Sequence, residues 1–232
     1  MQYEMVGLRE DNTQGWLAAV GVIYILDRSG VDVQMYWCEK HPIILGYNEQ
    51  EVIDILVEYL NQGSDILDNL PTGFRGEKAA LDRTAGRVSF TGVIKQMLGS
   101  VERNNIEEGL NHPWVNKDNV TSLGWDPISV KLSANSGGDK APDSSPHRGV
   151  LAGQWLAAES LPVTGAGPRR DYYSWVTWSV PLDMGGVRAV AQAQTTDWGG
   201  VRYSANVARN GQMGYFEPAR TDITHKIQGG SR

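Results

Sequence analysis

The sequence predicts an α+β fold: a mainly antiparallel β-sheet with about four packed helices. Three observations lead there. Apolar residues recur at helical spacing, or in continuous runs, at four places before residue 162. Aromatic and β-branched residues alternating with polar ones concentrate in the last third. Short turn signals separate those last segments, which suits hairpins better than long crossovers. At 232 residues, with 41% apolar and 21% charged side chains, the chain is long enough for one sizeable core. The division expected is an acidic, helix-rich part over residues 1–122 and a β-rich part over 123–232, forming one compact unit.

Residues 15–28 read as a buried helix, because the run Gly15 to Leu26 is too continuous for a surface helix. Asn12 or Thr13 caps its start and Gly30 follows its end. Val31, Val33, Met35 and Trp37 then alternate with Asp32, Gln34 and Tyr36, a strand with one wet face. His41-Pro42 is expected to break it, with a short second strand over 43–45. Residues 48–61 form an amphipathic helix: Asn48 and Glu51 make a capping box, and Val52, Ile53, Leu56, Tyr59 and Leu60 form the apolar stripe.

Residues 63–86 read as irregular. Residues 87–90 read as a short strand, and Thr91 caps a helix to about Glu102. A helical turn and loop follow over 104–122. Residues 123–132 end in a strand-like alternation. The low-complexity stretch 133–148 has no large apolar anchor and is expected to be a mobile loop. Residues 149–161 read as a third buried helix ending at Pro162. Residues 172–180, 187–194 and 201–207 read as strands. Asn210-Gly211 signals a hairpin to Met213–Phe216, and the tail after Pro218 is expected to fray. The repeated Trp-Leu-Ala-Ala at 16–19 and 155–158 predicts two small-faced helices packing on the same sheet.

Charge is divided along the chain. Residues 1–120 carry 18 acidic and 10 basic side chains; residues 121–232 carry 9 and 11, and 8 of those 11 are Arg. The net charge of −6 argues against generic DNA coating. The arginines of the second part nevertheless suit phosphate recognition. Lys131, Lys140, Arg148, Arg169, Arg170, Arg188 and Arg202 are the candidate nucleic-acid contacts.

Catalytic signatures are missing. There is no P-loop, no HExxH and no Gly-x-Ser-x-Gly elbow, and His41, His112, His147 and His225 lack metal spacing. The lone cysteine, Cys38, makes no internal disulfide and sits beside Glu39, which disfavours its thiolate. No catalytic residue, metal ligand or cofactor is assigned, and the balance leans away from an enzyme. Two alternatives stay open: a metal-dependent nuclease using Asp126, and a Trp-rich module for sugars or small ligands built on Trp175, Trp178 and Trp198. The apolar run at 16–26 is too short for a bilayer span and lacks the flanks of a signal peptide, so the chain is read as cytoplasmic.

Three segments resemble CRISPR-associated proteins of type I-G (formerly I-U) systems. They are Gly15-Trp16-Leu17-Ala18-Ala19 with the following strand ending at Trp37, Ser89-Phe90-Thr91-Gly92, and Trp125-Asp126-Pro127 with Trp155-Leu156-Ala157-Ala158-Glu159 and Leu161-Pro162. Gln154 stands where the family pattern carries Asn. The resemblance covers about half of the chain and carries no catalytic residue. It implies participation in prokaryotic, RNA-guided antiviral DNA interference, as a large-subunit-like component, an accessory protein or an extension of the helicase–nuclease. Of these, the reading taken is a non-enzymatic subunit of a Cascade-type complex. Such a subunit would touch guide RNA or target DNA and neighbouring effector subunits.

Overall fold

A computed structural model describes residues 1–71, 80–85, 88–129, 148–210 and 213–221, with backbone alone at Arg148 and Asn210. The fold is α+β with antiparallel sheets. Its first half is β1 (Gln2–Glu4), α1 (Thr13–Arg28), β2 (Gln34–Cys38), β3 (His41–Leu45), α2 (Glu49–Gln62), α3 (Phe90–Leu98), α4 (Arg103–Asn111) and β4 (Asp118–Asn119). Its second half is β5 (Arg148–Gly149), α5 (Leu151–Glu159), α6 (Leu161–Thr164), β6 (Tyr172–Val176), α7 (Met184–Ala193), β7 (Arg202–Asn210), β8 (Met213–Phe216) and β9 (Arg220–Thr221). One buried cluster runs from Tyr3 to Phe216 and draws on both halves of the chain.

α1 is buried from Thr13 to Leu26, which explains its unbroken apolarity. Asn12 starts it by accepting the Gly15 amide at 3.1 Å. Every residue of α5 is also buried. The two Trp-Leu-Ala-Ala helices make the most extensive helix contact in the chain, and they make it with each other. Gly21 permits this approach, since a Cβ there would collide with the Leu156 carbonyl.

Among the described residues the strands form a small β4–β5 pair and two larger sheets joined edge to edge. In the first the order is β1-β3-β2. His41-Pro42 does not break the strand as expected but opens β3, because Glu39 and Lys40 take positive φ and close a two-residue hairpin. Pro42 is tolerated because its partner Trp37 donates the other way, to the Trp178 carbonyl at 2.9 Å. On its far side β1 has already ended, so the missing N–H breaks no ladder. The free edge of β2 bonds to 177–182 through Met35 and Leu182. That segment continues β6, which pairs with β7, and β7 pairs with β8 and β9.

Several expectations are corrected. Arg87 lies outside the described residues, and 88–90 is not a strand: Ser89 caps α3 by accepting the Gly92 amide. The helix expected to reach Glu102 ends at Leu98, and the helical turn expected after it is the nine-residue helix α4. Within 123–132, residues 127–129 form a helical turn, with Pro127 opening it and the Asp126 carboxylate accepting the Ile128 amide. Pro162 does not stop the chain's helicity but sits in the one-turn α6. Residues 187–194 fall mainly in α7, not in a strand. Asp183 caps it at the Gly186 amide, and Met184, Val187 and Val190 bury at three-residue spacing. Arg220 and Thr221 after Pro218 pair with β7. The loop 133–148 lies outside the described residues up to 147, and Arg148 begins β5.

Gly21→Ala is expected to lower stability by roughly 3 kcal/mol, because the carbonyl it meets is helix backbone. Gly30→Ala, at φ +79 but with open space around it, should cost only about 1 kcal/mol. Urea denaturation of both variants checks the contrast.

Candidate nucleic-acid interface

β7 organises the C-terminal sheet. Its inward side chains Tyr203, Ala205 and Val207 stand opposite Trp175, Tyr173 and Phe216. These rings interlock: Tyr173 to Trp175 is 6.1 Å, Trp175 to Tyr203 5.8 Å and Tyr173 to Phe216 5.8 Å between centroids. The Trp-rich ligand module is therefore corrected in part. Trp175 and Trp178 are core, and their indole N–H groups donate to the Glu10 and Met35 carbonyls. Trp198 alone of the three is exposed.

The cations gather at the end of this sheet where β8 begins. Arg83 is 1% exposed. It donates to the Arg170 carbonyl at 2.9 Å and the Ala80 carbonyl at 2.7 Å, and its guanidinium lies 4.7 Å from the Phe216 ring centre. Its own carbonyl accepts the Gly214 amide at 3.1 Å. One side chain thus ties the 169–171 backbone to 80–83 and β8. Gly214 borders both side chains: a Cβ there would lie in ordinary contact, 3.5 Å, from Arg83 Cδ and Arg169 Nη2. The Trp125 indole holds the Leu81 carbonyl at 2.8 Å and the Gly124 carbonyl takes the Phe216 amide. The Trp-Asp-Pro motif therefore braces the site.

Burial pushes the Arg83 guanidinium down to about 10, and Arg169 and Arg209 push it the same way. Asp171 and Asp82 oppose them. Arg83 stays charged at neutral pH, so three like charges share this corner against two acids. Arg170 is exposed and donates to the Tyr172 hydroxyl at 2.9 Å.

Of the predicted contacts, Arg169 and Arg170 come together here. Arg188 does not: it is on α7, 5.7 Å from the Tyr24 ring of α1. Arg202 begins β7, about 23 Å along the strand from Arg209 and on the opposite face. Its guanidinium is taken by the Gln194 carbonyl at the end of α7. Lys131 and Lys140 lie outside the described residues. Arg148 is described by its backbone, which pairs with Asn119. Arg83 and Arg209 were missed. Arg209 alternates away from Arg202 along β7, and that alternation sends it to the Arg169 corner.

Two buried carboxylates sit elsewhere. Asp126 is 1% exposed, and its Oδ1 accepts from Asn12 at 3.0 Å and from the Ile128 amide at 3.1 Å. Burial raises its pKa, and these donors, with Asn116, pull it back. It links the α1 cap to the 127–129 turn. Among the described residues no three His, Cys, Asp or Glu side chains gather to hold a metal. Glu159 accepts from Ser64 at 2.5 Å, Trp155 at 2.9 Å and Tyr59 at 3.2 Å. Burial, with Asp65 nearby, pushes it up to about 7.

Fold and site together define an α+β protein with an arginine-edged sheet. No protein-family model matches the chain, and no curated protein or solved structure matches it. The type I-G resemblance thus rests on its motifs alone. Among the described residues no helix is long and apolar enough to cross a membrane.

Glu159 binds a proton more tightly folded than unfolded. Its contribution to stability is therefore full below about pH 4.5 and is lost as pH rises through about 7, on the order of 3 kcal/mol in all. The urea midpoint should fall between pH 5 and 8, and Glu159→Gln should flatten that fall.

Proposed function

We propose that this chain is a non-catalytic nucleic-acid-binding subunit of an RNA-guided type I CRISPR effector, acting in the prokaryotic cytoplasm beside other effector subunits. It meets the sugar–phosphate backbone along Arg169, Arg170 and Arg209.

One observation carries the reading. Among the described residues every ion pair lies between residues 9 and 117: Arg9 and Lys40 with Asp11, Arg28 with Asp65, Arg103 with Asp54 and Glu107, and Lys117 with Glu108. Among the described residues, the arginines of the β6–β8 corner have no carboxylate at ion-pair distance. They are held near one another by a buried arginine whose hydrogen bonds go to backbone carbonyls. A polyanion supplies the missing counter-charge, and guanidinium groups match phosphate oxygens in geometry. The motif resemblance supplies the RNA-guided setting, in which base pairing reads sequence and protein subunits read backbone.

Arg169→Glu with Arg170→Glu should weaken binding of a labelled oligonucleotide about tenfold or more in a low-salt shift assay. It should also reduce the slope of log affinity against log salt. Unchanged affinity and slope in a folded double variant would defeat the reading. Copurification of guide RNA with the wild-type chain and its effector partners tests the setting.

A further inference from the structure

We infer that the solvent face of the β6–β8 sheet is a stacking platform for unpaired bases, with Tyr172 as its principal ring, so that the nucleic acid bound is single-stranded. The inference rests on the nucleic-acid reading above and narrows it.

Strand register fixes which side chains share this face. Tyr172 stands opposite Asn206, Ser174 opposite Ser204, and Ala208 opposite Tyr215, while Arg220 on β9 stands beside Ser204. The other face is the aromatic core already described. Tyr172 is 45% exposed, whereas Tyr173 beside it is packed against Trp16, Trp175 and Phe216. An outward ring at this position contributes little to the core. Arg170 fixes it by bonding its hydroxyl. Tyr215, partly exposed on the same face, lies two strands across and two residues along, about 12 Å away. One short stretch of a single strand spans that distance.

Charge complements this arrangement. Arg170 and Arg220 flank the face, while Arg169 and Arg209 lie beyond its β8 end, Arg209 projecting from the opposite side of β7. Asp171, Glu217 and Asp222 are the acids nearest in sequence. Asp171 is engaged electrostatically with Arg83. Exposed Asn206 offers a carboxamide to base edges. Duplex bases are stacked on one another and present only groove edges, so an open sheet carrying outward rings cannot reach their faces. Unpaired bases can be laid on tyrosine, and neighbouring cations then track the backbone.

The test uses the full chain and fluorescence anisotropy with labelled 20-nucleotide oligo-U, oligo-dT and a duplex of equal length. Both single strands, or the RNA alone, should bind at least tenfold tighter than the duplex. Tyr172→Ala should weaken single-strand binding about fivefold or more while leaving the salt slope intact, and Tyr172→Phe should keep most of the affinity. Equal binding of duplex and single strand, or a folded Tyr172→Ala variant with wild-type affinity, overturns the platform. The arginine reading then survives if the Arg169/Arg170 double variant still loses binding. If no polymer binds wild type at low salt, both fail.

Discussion

The contact between α1 and α5 is the constraint on which the rest depends. Two helices buried over nearly their whole length approach until Gly21 lies against the Leu156 carbonyl. From this pair, polar side chains reach outward to set the surrounding backbone. Trp16 bonds the Val176 carbonyl at the end of β6. Gln154 accepts the Leu123 amide and donates to the Thr121 carbonyl, both at 2.9 Å. Two residues on, Trp125 takes the Leu81 carbonyl, and Arg83 takes the Arg170 carbonyl. The arginine corner is thus positioned through a continuous series of contacts beginning at the central helix pair. Gln154 fulfils this bridging role where the family pattern carries the shorter Asn.

Arg83 is the costly member of that series. Taking a guanidinium out of water is unfavourable, and it is usually offset by a carboxylate. Here the direct contacts are neutral, two carbonyls and the face of Phe216, and Asp171 and Asp82 act on it only from beyond ion-pair distance. Its Nε has no partner among the described residues. A Leu or Met of similar volume would fill the space without that expense, but it would leave the Arg170 and Ala80 carbonyls unbonded. It would also remove one of the three charges at the corner. The arrangement favours an incoming anion over internal neutralisation.

Much of the fold was legible because local signals agreed with tertiary demands. Asn48 and Glu51 form the capping box their spacing indicates, and the continuous apolar runs became the two buried helices. The failures have physical causes. Val187 to Gln194 places small apolar residues at both two- and three-residue spacing, and the deciding signal was Asp183, a cap just outside the window considered. Pro42 was misjudged because nothing local shows that the strand on its N–H side has already ended. At the site, the adjacent pair Arg169-Arg170 was readable as a charge cluster. Arg83 was not, since a buried arginine has no local signature. Arg188 and Arg202 were assigned by residue type, but packing gave them to Tyr24 and to the end of α7.

The division of charge follows from the same packing. In the first half, which carries 18 acids and 10 bases, the described ion pairs include short-range ones, such as Arg9 with Asp11 and Arg103 with Glu107 four residues on. In the second half Arg169, Arg170, Arg209 and Arg220 lie on or beside a sheet whose inner face is aromatic and whose outer face is Tyr, Ser, Asn and Ala, while Arg188 is on α7. Strand alternation gives such arginines no acid at matching register, so they remain unpaired among the described residues. Excess positive charge at one sheet end, set on a chain that is acidic overall, confines polyanion attraction to that end. On the nucleic-acid reading proposed above, the acidic remainder would repel the same polymer and leave a bound strand one path across the molecule.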